Sequence, residues 1–340
     1  MDLSLMGVKD LPEDSPMCDI DKAVFCSKLK SLFSKYDIDN LFSFLDRIDK
    51  CKKNELFRKN CSASSFCLVD NIENIFFQLL LGGIKDDTPL FKYTNAASII
   101  YVSKNEQCMT SIVGMNDATE CMYADTYLRE IGYDTYLDDS IFTLLGSKAF
   151  ITSFSTKEDD LTMWRLYGDD AKGIAYEYKV ENNNLLKDFY LAPVSYANED
   201  GYHKELNLIA DMGEMIIDDC KFEFKNLFIW KYFFKPKEYK VEDEVRLLYF
   251  EFNPQKKAKW VETGTGLIAP IKVFSIEDKS DDYEKKVTDL YPLALHQIWL
   301  GPRMPEIEAN KESINQLLKE SLEWKPIKIS AIHNYRERKK

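Results

Sequence analysis

The segment that most constrains the fold runs from residue 150 to 180, where a strand pattern, a capped helix, a glycine turn and a second strand follow one another. Residues 150–154 have the apolar and β-branched content of a strand. Ser155 with Glu158 three residues later matches a capping box, which predicts a helix beginning at Ser155. Gly168 is expected to end that helix in the left-handed conformation. The segment therefore predicts a sheet and a helix that either supports the sheet or lines a site.

Helix and strand patterns on both sides of this segment divide the chain near residue 85. The residues before the division carry apolar side chains at helical spacing and no candidate chemistry, so we predict a helical N-terminal region over 1–85. After it, short strand patterns alternate with helices, including one long helix over 203–230 and a strand near Glu244. This order predicts an α+β core domain over 86–340, with small mixed or antiparallel sheets and flanking helices.

The composition limits the class of protein and of partner. The 340 residues are 45% hydrophobic and carry a formal net charge of −12. Such a chain can build a sizeable core, and it is poorly suited to binding along a nucleic-acid backbone, which needs clustered Lys and Arg. Eight cysteines without a C-x-x-C pair, and only three histidines, disfavour a zinc site. No signal peptide or membrane-length apolar run is visible, so we expect a cytoplasmic protein with reduced thiols and no membrane contact.

The sequence contains no serine-hydrolase, P-loop, dinucleotide-fingerprint or zinc-protease motif. The three histidines are scattered, and His296 is expected to be a structural residue of an apolar strand. What remains is a set of polar and aromatic residues at predicted strand ends and turns, which could hold a polar ligand against an aromatic wall. These residues are Lys92, Tyr93, Thr94, Thr110, Ser111, Asn116, Asp117, Trp164, Arg165, Tyr167, Glu244 and Arg246.

Each of two polar stretches is consistent with two interpretations. Residues 115–120 form either a turn in which Asn and Asp satisfy their own backbone or a loop that presents an amide and carboxylates to a pocket. Residues 231–240 mix lysines with aromatic residues. They form either a surface turn whose lysine stems cover apolar area or a contact for an anion.

Four stretches of the chain carry a family resemblance. They are Phe91-Lys92-Tyr93-Thr94; Thr110-Ser111 with Met115-Asn116-Asp117-Ala118-Thr119-Glu120; Ser153-Phe154-Ser155 with Met163-Trp164, Tyr167-Gly168 and Lys172-Gly173; and the strand from Glu242 to Leu248 with Leu300-Gly301-Pro302-Arg303. On these stretches, about residues 88–336 resemble the bacterial family catalogued as domain of unknown function 2971. The helical region before them is not part of the resemblance. Ala118 stands where the family has proline, and no aromatic residue separates Glu244 from Arg246.

The resemblance implies a divergent ADP-ribosyltransferase-like fold that grips nicotinamide adenine dinucleotide (NAD) in the cleft between two small sheets. It implies catalytic roles for Glu244, Tyr93 and Ser111, although Lys92 stands where the first strand of such enzymes has histidine. The resemblance also implies that Tyr93, Ser111, Trp164 and Glu244 border a common cleft. The cofactor-binding residues that it implies are Lys92, Thr94, Thr110, Asn116, Asp117, Trp164, Arg165, Tyr167 and Arg246.

The function that follows is an NAD-using ADP-ribosyltransferase-like or NAD-cleaving effector. Glu244 would stabilise the oxocarbenium-like cation that forms when the nicotinamide–ribose bond breaks. Lys92, Arg165 or Arg246 would hold the diphosphate. Family members often accompany bacterial anti-phage and toxin-type systems, which implies a defence role. The target would be a protein or a nucleic acid, and residues 1–85 could bind a partner protein.

Two other functions stay open at this point. The first is a non-catalytic module that binds a nucleotide or a phage product and signals through the helical region. The second is a metal-dependent nuclease that uses Asp117, Asp159, Asp160 and Glu244 as ligands. Asp159 and Asp160 are also explained as acids near a helix N-terminus.

Overall fold

The computed structural model describes residues 20–59, 64–112, 118–133, 148–180, 188–251, 258–262, 268–277, 290–319 and 325–333. The chain divides into two compact units that alternate along the sequence. The first contains Met1–Gly83, Asp117–Ile141 and Ala192–Lys240, and the second contains Ile84–Asn116, Phe142–Leu191 and Val241–Lys340. The predicted α+β fold with an N-terminal helical region is confirmed. The predicted limits of its domains, 1–85 and 86–340, stay a prediction.

The α-helices of the described part are α1 (Lys22–Tyr36), α2 (Phe42–Lys50), α3 (Lys53–Leu56), α4 (Asp70–Leu80), α5 (Ile99–Val102), α6 (Ala118–Glu130), α7 (Leu161–Leu166), α8 (Lys204–Gly213), α9 (Leu227–Trp230) and α10 (Ile307–Leu318). The strands are β1 (Phe57–Lys59), β2 (Ser65–Leu68), β3 (Pro89–Thr94), β4 (Glu106–Ser111), β5 (Ala149–Ser155), β6 (Ile174–Val180), β7 (Phe189–Pro193), β8 (Ser195–Tyr196), β9 (Ile216–Ile217), β10 (Cys220–Phe222), β11 (Phe234–Lys235), β12 (Glu244–Phe250), β13 (Lys259–Glu262), β14 (Ile268–Ser275), β15 (Leu293–Leu300) and β16 (Ile327–Ile329). None of the helices is long and apolar enough to cross a membrane, within the ranges given above.

The first unit packs its helices around an aromatic core and a four-stranded sheet of order β1-β2-β10-β9. Asp21 caps α1, since its carboxylate accepts hydrogen bonds from the backbone of Ala23 and Val24 at 2.8 and 3.1 Å. Phe25 of α1 contacts the ring of Phe66 on β2. This core anchors the N-terminal helices.

The prediction of one long helix over residues 203–230 is wrong. The chain instead forms α8, a hairpin of β9 and β10, and the short α9. Asp218 and Asp219 hold positive φ angles of 50° and 60° and make the hairpin turn. The apolar residues Ile216 and Ile217, which fit a helical stripe, also fit a short strand, so their spacing could not separate the two structures.

The second unit is built on one large sheet of order β13-β14-β4-β5-β3-β6-β15-β16, in which β12 also pairs with β5 and β7 with β12. The main hydrophobic core covers one face and includes Leu90, Phe154 and Tyr178. A smaller cluster covers the other face around Tyr93 and Trp164. The sheet therefore carries side chains of β3 into two separate environments.

The helix that follows β5 begins later than the predicted capping box. Ser155 is the last residue of β5, and Asp160 caps α7 by accepting hydrogen bonds from the backbone of Thr162 and Met163. The left-handed turn predicted for Gly168 is made by residues 169–171, whose φ angles are 52°, 49° and 68°. Gly168 is needed for space instead, because an added Cβ would lie 2.6 Å from the Trp164 ring.

Candidate functional site

One edge of β5 pairs with β12, and the opposite edge pairs with two different strands of the large sheet. On that edge Ile151 pairs with Thr110 of β4, and Ser155 pairs with Phe91 of β3. Ser153, which lies between the two positions, has no strand partner there among the described residues. We define the β5 split as the place where β3 and β4 part along this edge of β5, next to Ser153, Lys92 of β3 and Cys108 of β4.

Ser153 presents polar groups to the β5 split. The backbone N–H of Thr156 donates to the Asp243 carbonyl at 3.2 Å, so even-numbered residues of β5 point their peptide groups toward β12. Odd-numbered residues, Ser153 included, therefore point theirs toward the split. The Ser153 side chain is exposed, whereas the other residues of β5 are buried. An exposed serine on an otherwise buried strand marks an accessible place on this sheet.

Lys92 reaches the β5 split from β3. Its Nζ lies 3.4 Å from the Cys108 carbonyl oxygen of β4. The residue is half-buried, and burial lowers the pKa of its ammonium to about 8. This side chain connects the two strands that leave β5.

Two hydrogen-bonded tyrosines of β6 line the Lys92 side of the sheet. The Tyr176 hydroxyl lies 2.8 Å from Ser98 Oγ, and the Tyr178 hydroxyl donates to Gln107 Oε1 at 2.5 Å. Burial raises the pKa of both phenols above the ordinary tyrosine value. Both groups are therefore neutral hydrogen-bonding groups at physiological pH.

The other face of the sheet carries a buried ion pair beside Ser153. Arg246 Nε donates to Glu244 Oε1 at 2.7 Å and its Nη2 donates to Oε2 at 3.1 Å. The two side chains are 1% and 3% exposed. Arg246 pairs directly with Ser153 across the β5–β12 ladder, and Glu244 pairs with Ser155. The carboxylate is thus held in one orientation by two charge-assisted hydrogen bonds.

Hydrogen bonds from neighbouring residues fix the loop between β5 and α7. The Tyr93 hydroxyl donates to the Lys157 carbonyl at 2.7 Å and accepts from the Asp160 N–H at 3.1 Å. Ser155 Oγ donates to the carbonyl of Glu242 at 2.6 Å. The Tyr167 hydroxyl donates to the carboxylate of the same Glu242. The loop is therefore tied to both β3 and the segment before β12.

The register of the strands separates the predicted site residues into two groups. Tyr93, Thr110, Glu244 and Arg246 share the Ser153 face of the sheet. Lys92, Thr94 and Ser111 lie on the opposite face, because successive side chains of a strand alternate. The expectation that Ser111 borders one cleft with Tyr93 and Glu244 is therefore wrong.

The remaining predicted site residues have different surroundings. Trp164 is fully buried, and its ring packs edge-to-face against the ring of Tyr93 with the two centroids 4.9 Å apart. Trp164 therefore supports the site by packing against Tyr93. Arg165 and Tyr167 are exposed on and directly after α7. The predictions for Asn116 and Asp117 fall outside the described residues.

Several other expectations change. His296 is exposed at a bulge of β15 and is not a core residue. Lys231 is buried and pairs with Asp125 at 2.5 Å, so the interpretation of residues 231–240 as a surface turn is wrong for this lysine. No group of three or more potential metal ligands occurs in the described ranges.

Sequence reasoning did not identify Ser153 or Glu242 as candidate site residues. Ser153 was part of the strand pattern, where a polar residue between Thr152 and Phe154 is a weak signal of an accessible position. Glu242 precedes a charged strand start and resembles a solvated acid in sequence. The pairing of strands places Ser153 beside Arg246, and hydrogen bonds from Ser155 and Tyr167 place Glu242 in the same region.

Residues 163–247 match the model of a family described as Protein of unknown function (DUF2971). The resemblance found in the sequence is confirmed there, and the matched segment includes Trp164, Glu244 and Arg246. No curated protein and no solved structure matches the chain. The matched segment thus supplies α7 from Met163 onward and the ion pair of the site, while Ser153 and Lys92 come from strands before it.

Proposed function

We propose that this DUF2971-containing chain is an NAD-using enzyme that transfers ADP-ribose or cleaves NAD at the β5 split. The observation that carries the proposal is the Glu244 carboxylate, held by Arg246 beside the exposed Ser153. Two strands leave the same edge of β5 at this point, which creates a break in an otherwise continuous sheet. NAD is a substrate in this proposal, and the acceptor is water, a protein or a nucleic acid.

The chemistry needs a fixed negative charge near the ribose. The bond between ribose C1′ and the nicotinamide nitrogen breaks, its electron pair leaves with nicotinamide, and the sugar develops oxocarbenium character. A carboxylate that is already oriented stabilises this charge without reorganisation. Arg246 and the buried surroundings would keep Glu244 in place, and Tyr93 would position the adjacent loop through Lys157 and Asp160.

A defence role is part of the proposal. An enzyme that consumes NAD would act as the effector of an anti-phage or toxin-type system, and the family association described above supports that role. Expression of the wild-type chain in bacterial cells would then lower the cellular NAD content.

The direct test measures nicotinamide release from NAD by the purified full chain. We expect Ser153→Trp to abolish release, because an indole at the only exposed position of β5 would fill the mouth of the split. Since Ser153 is exposed, the melting temperature should stay close to wild type. The matched control is His296→Trp, which places the same side chain at an exposed position of β15 in the same sheet. Activity in Ser153→Trp equal to wild type would contradict the placement of the site.

Glu244→Gln tests the chemical role. It preserves the shape of the side chain and removes its charge, so we expect at least about a hundredfold loss of rate. Breaking a buried ion pair also destabilises the fold by about 3–5 kcal/mol, so the assay must run well below the melting temperature of the variant. Full activity in a folded Glu244→Gln chain would remove Glu244 from the mechanism.

A second function is favoured by one observation. Both oxygens of the Glu244 carboxylate accept hydrogen bonds from Arg246, as in a structural ion pair. The chain would then be a nucleotide-binding sensor module without catalysis. Binding of NAD or ADP-ribose by the wild type, with no nicotinamide release, would favour this function over the enzyme.

A further inference from the structure

Two buried polar side chains lie next to each other on strands β6 and β15 of the large sheet. Glu177 of β6 pairs with Gln297 of β15 on one side and with Phe91 of β3 on the other. Glu177 and Gln297 are 8% and 6% exposed. They lie on the Ser153 face of the sheet, because Phe91 also pairs with Ser155 of β5. We call these two residues the β6–β15 polar pair.

The β6–β15 polar pair has hydrogen-bonding groups that the described part of the chain does not use. Glu177 Oε2 accepts from the Trp299 indole N–H at 3.1 Å, and Oε1 has no donor and no cation within salt-bridge distance among the described residues. The Gln297 amide has no hydrogen-bond partner in the same ranges. Buried polar groups without partners are costly. Three groups therefore need partners from outside the described residues: Glu177 Oε1, the Gln297 carbonyl and the Gln297 NH2 group.

Aromatic rings and a cation limit what can bind beside this pair. Phe91 and Trp299 are buried on the same face, with ring centroids 6.2 Å apart, so a planar and largely apolar ligand suits these surroundings. Lys328 Nζ lies 4.5 Å from the centroid of the Trp299 ring. Its positive charge disfavours a cationic ligand beside Glu177, since like charges repel. A neutral N–H donor on a flat ring is therefore the group that the surroundings favour.

Adenine satisfies the three unused groups together. A glutamine amide binds adenine through two hydrogen bonds, because its carbonyl accepts from the N6 amino group and its NH2 group donates to N7. The second N6 hydrogen is then available to the Glu177 carboxylate. Guanine presents only acceptors, O6 and N7, on the same edge, so it would leave the Gln297 carbonyl without a donor. We propose that Glu177 and Gln297 form a binding site for the adenine base of a nucleoside or nucleotide.

This adenine site is separate from the β5 split. Glu177, Phe91, Ser155 and Glu244 form one continuous row of paired residues across β6, β3, β5 and β12. Since neighbouring strands lie about 4.8 Å apart, the two glutamates at the ends of this row are about 14 Å apart. Phe91 and Ser155 between them are buried. The adenine site is therefore independent of the proposed function.

Calorimetric titration of the purified full chain with adenosine tests the site. Purine riboside is the matched probe, because it has the same rings and ribose without the amino group. We expect adenosine to bind the wild type about 10- to 100-fold more tightly than purine riboside, as for a hydrogen bond to a charged group. Glu177→Gln replaces one acceptor oxygen with a donor and keeps an acceptor for Trp299. It should weaken adenosine binding by a similar factor and remove the preference over purine riboside.

Gln297→Leu separates a binding role from a structural one. It removes a buried amide that has no partner among the described residues, so the variant should melt at or above the wild-type temperature. Its affinity for adenosine should nevertheless fall about 10-fold or more. A lower melting temperature with unchanged adenosine affinity would make Gln297 a structural residue and overturn the site.

Ser153→Trp is the control for the location of the ligand. Its indole fills the mouth of the β5 split, so adenosine should bind this variant as it binds the wild type. Loss of adenosine binding in Ser153→Trp with retention in Gln297→Leu would place the ligand in the split and overturn the adenine site. Failure of adenosine to bind the wild type, or equal affinity for adenosine and guanosine, would also overturn it. Adenosine binding that depends on Gln297 in a chain that releases no nicotinamide would support the adenine site and count against the enzyme alone.

Discussion

At the scale of single residues, the turn after α7 stores backbone strain that a substitution can release. Asp169 is exposed and holds φ at 52°, a left-handed conformation that costs a non-glycine residue roughly 1–2 kcal/mol. Asp169→Gly should raise the free energy of unfolding by about 0.5–1 kcal/mol, because relief of strain exceeds the added flexibility of the unfolded chain. Asp169→Val should lower it by more than about 1 kcal/mol. Urea denaturation measures the free energy of unfolding of both variants. A valine variant more stable than the glycine variant would contradict the claim that the turn is strained.

At the scale of elements, two variants test which residue caps the start of α7: Asp160, as the structure shows, or the capping box predicted from sequence. Asp160→Ala removes the acceptor of two backbone N–H groups and should cost about 1 kcal/mol of unfolding free energy. Glu158→Ala alters the second residue of the capping box predicted from sequence. Since Glu158 is exposed and does not cap α7, its loss should change stability by less than about 0.5 kcal/mol. Thermal denaturation of the two variants compares them, and a larger effect of Glu158→Ala would restore the predicted cap.

The same elements show what sequence pattern can and cannot predict. The alternation of charged and apolar residues from Glu244 onward predicts a strand, and β12 begins at Glu244 as expected. Which face of the sheet a residue joins depends on long-range pairing, such as Ile151 with Thr110, and this pairing placed Ser111 away from Glu244. The capping box failed for a related reason. The Ser155 hydroxyl donates to the Glu242 carbonyl, an acceptor distant in sequence that local spacing does not contain.

At the scale of the whole molecule, the first unit draws its core from distant parts of the chain. Phe66 on β2 contacts Phe222 on β10 with ring centroids 5.4 Å apart, and Phe77 of α4 stacks on Trp230 at 5.4 Å. Phe222 and Trp230 are fully buried. Removal of the N-terminal region would leave their apolar surface exposed, which favours local unfolding and aggregation.

The shortened chain 86–340, which the sequence predicts to be a domain, should therefore not fold completely. We expect trypsin to cleave it rapidly after Lys221, Lys225 and Lys231, whereas the full chain resists cleavage there because Phe222 and Trp230, which are neighbours of these lysines, pack against Phe66 and Phe77. Mass spectrometry of the fragments, with 8-anilinonaphthalene-1-sulfonate fluorescence as a measure of exposed apolar surface, compares the two chains. A shortened chain that resists trypsin and melts in one cooperative transition would show that residues 1–85 are a separable domain. In that case the contacts of Phe66 and Phe77 would be an interface between domains and not a shared core.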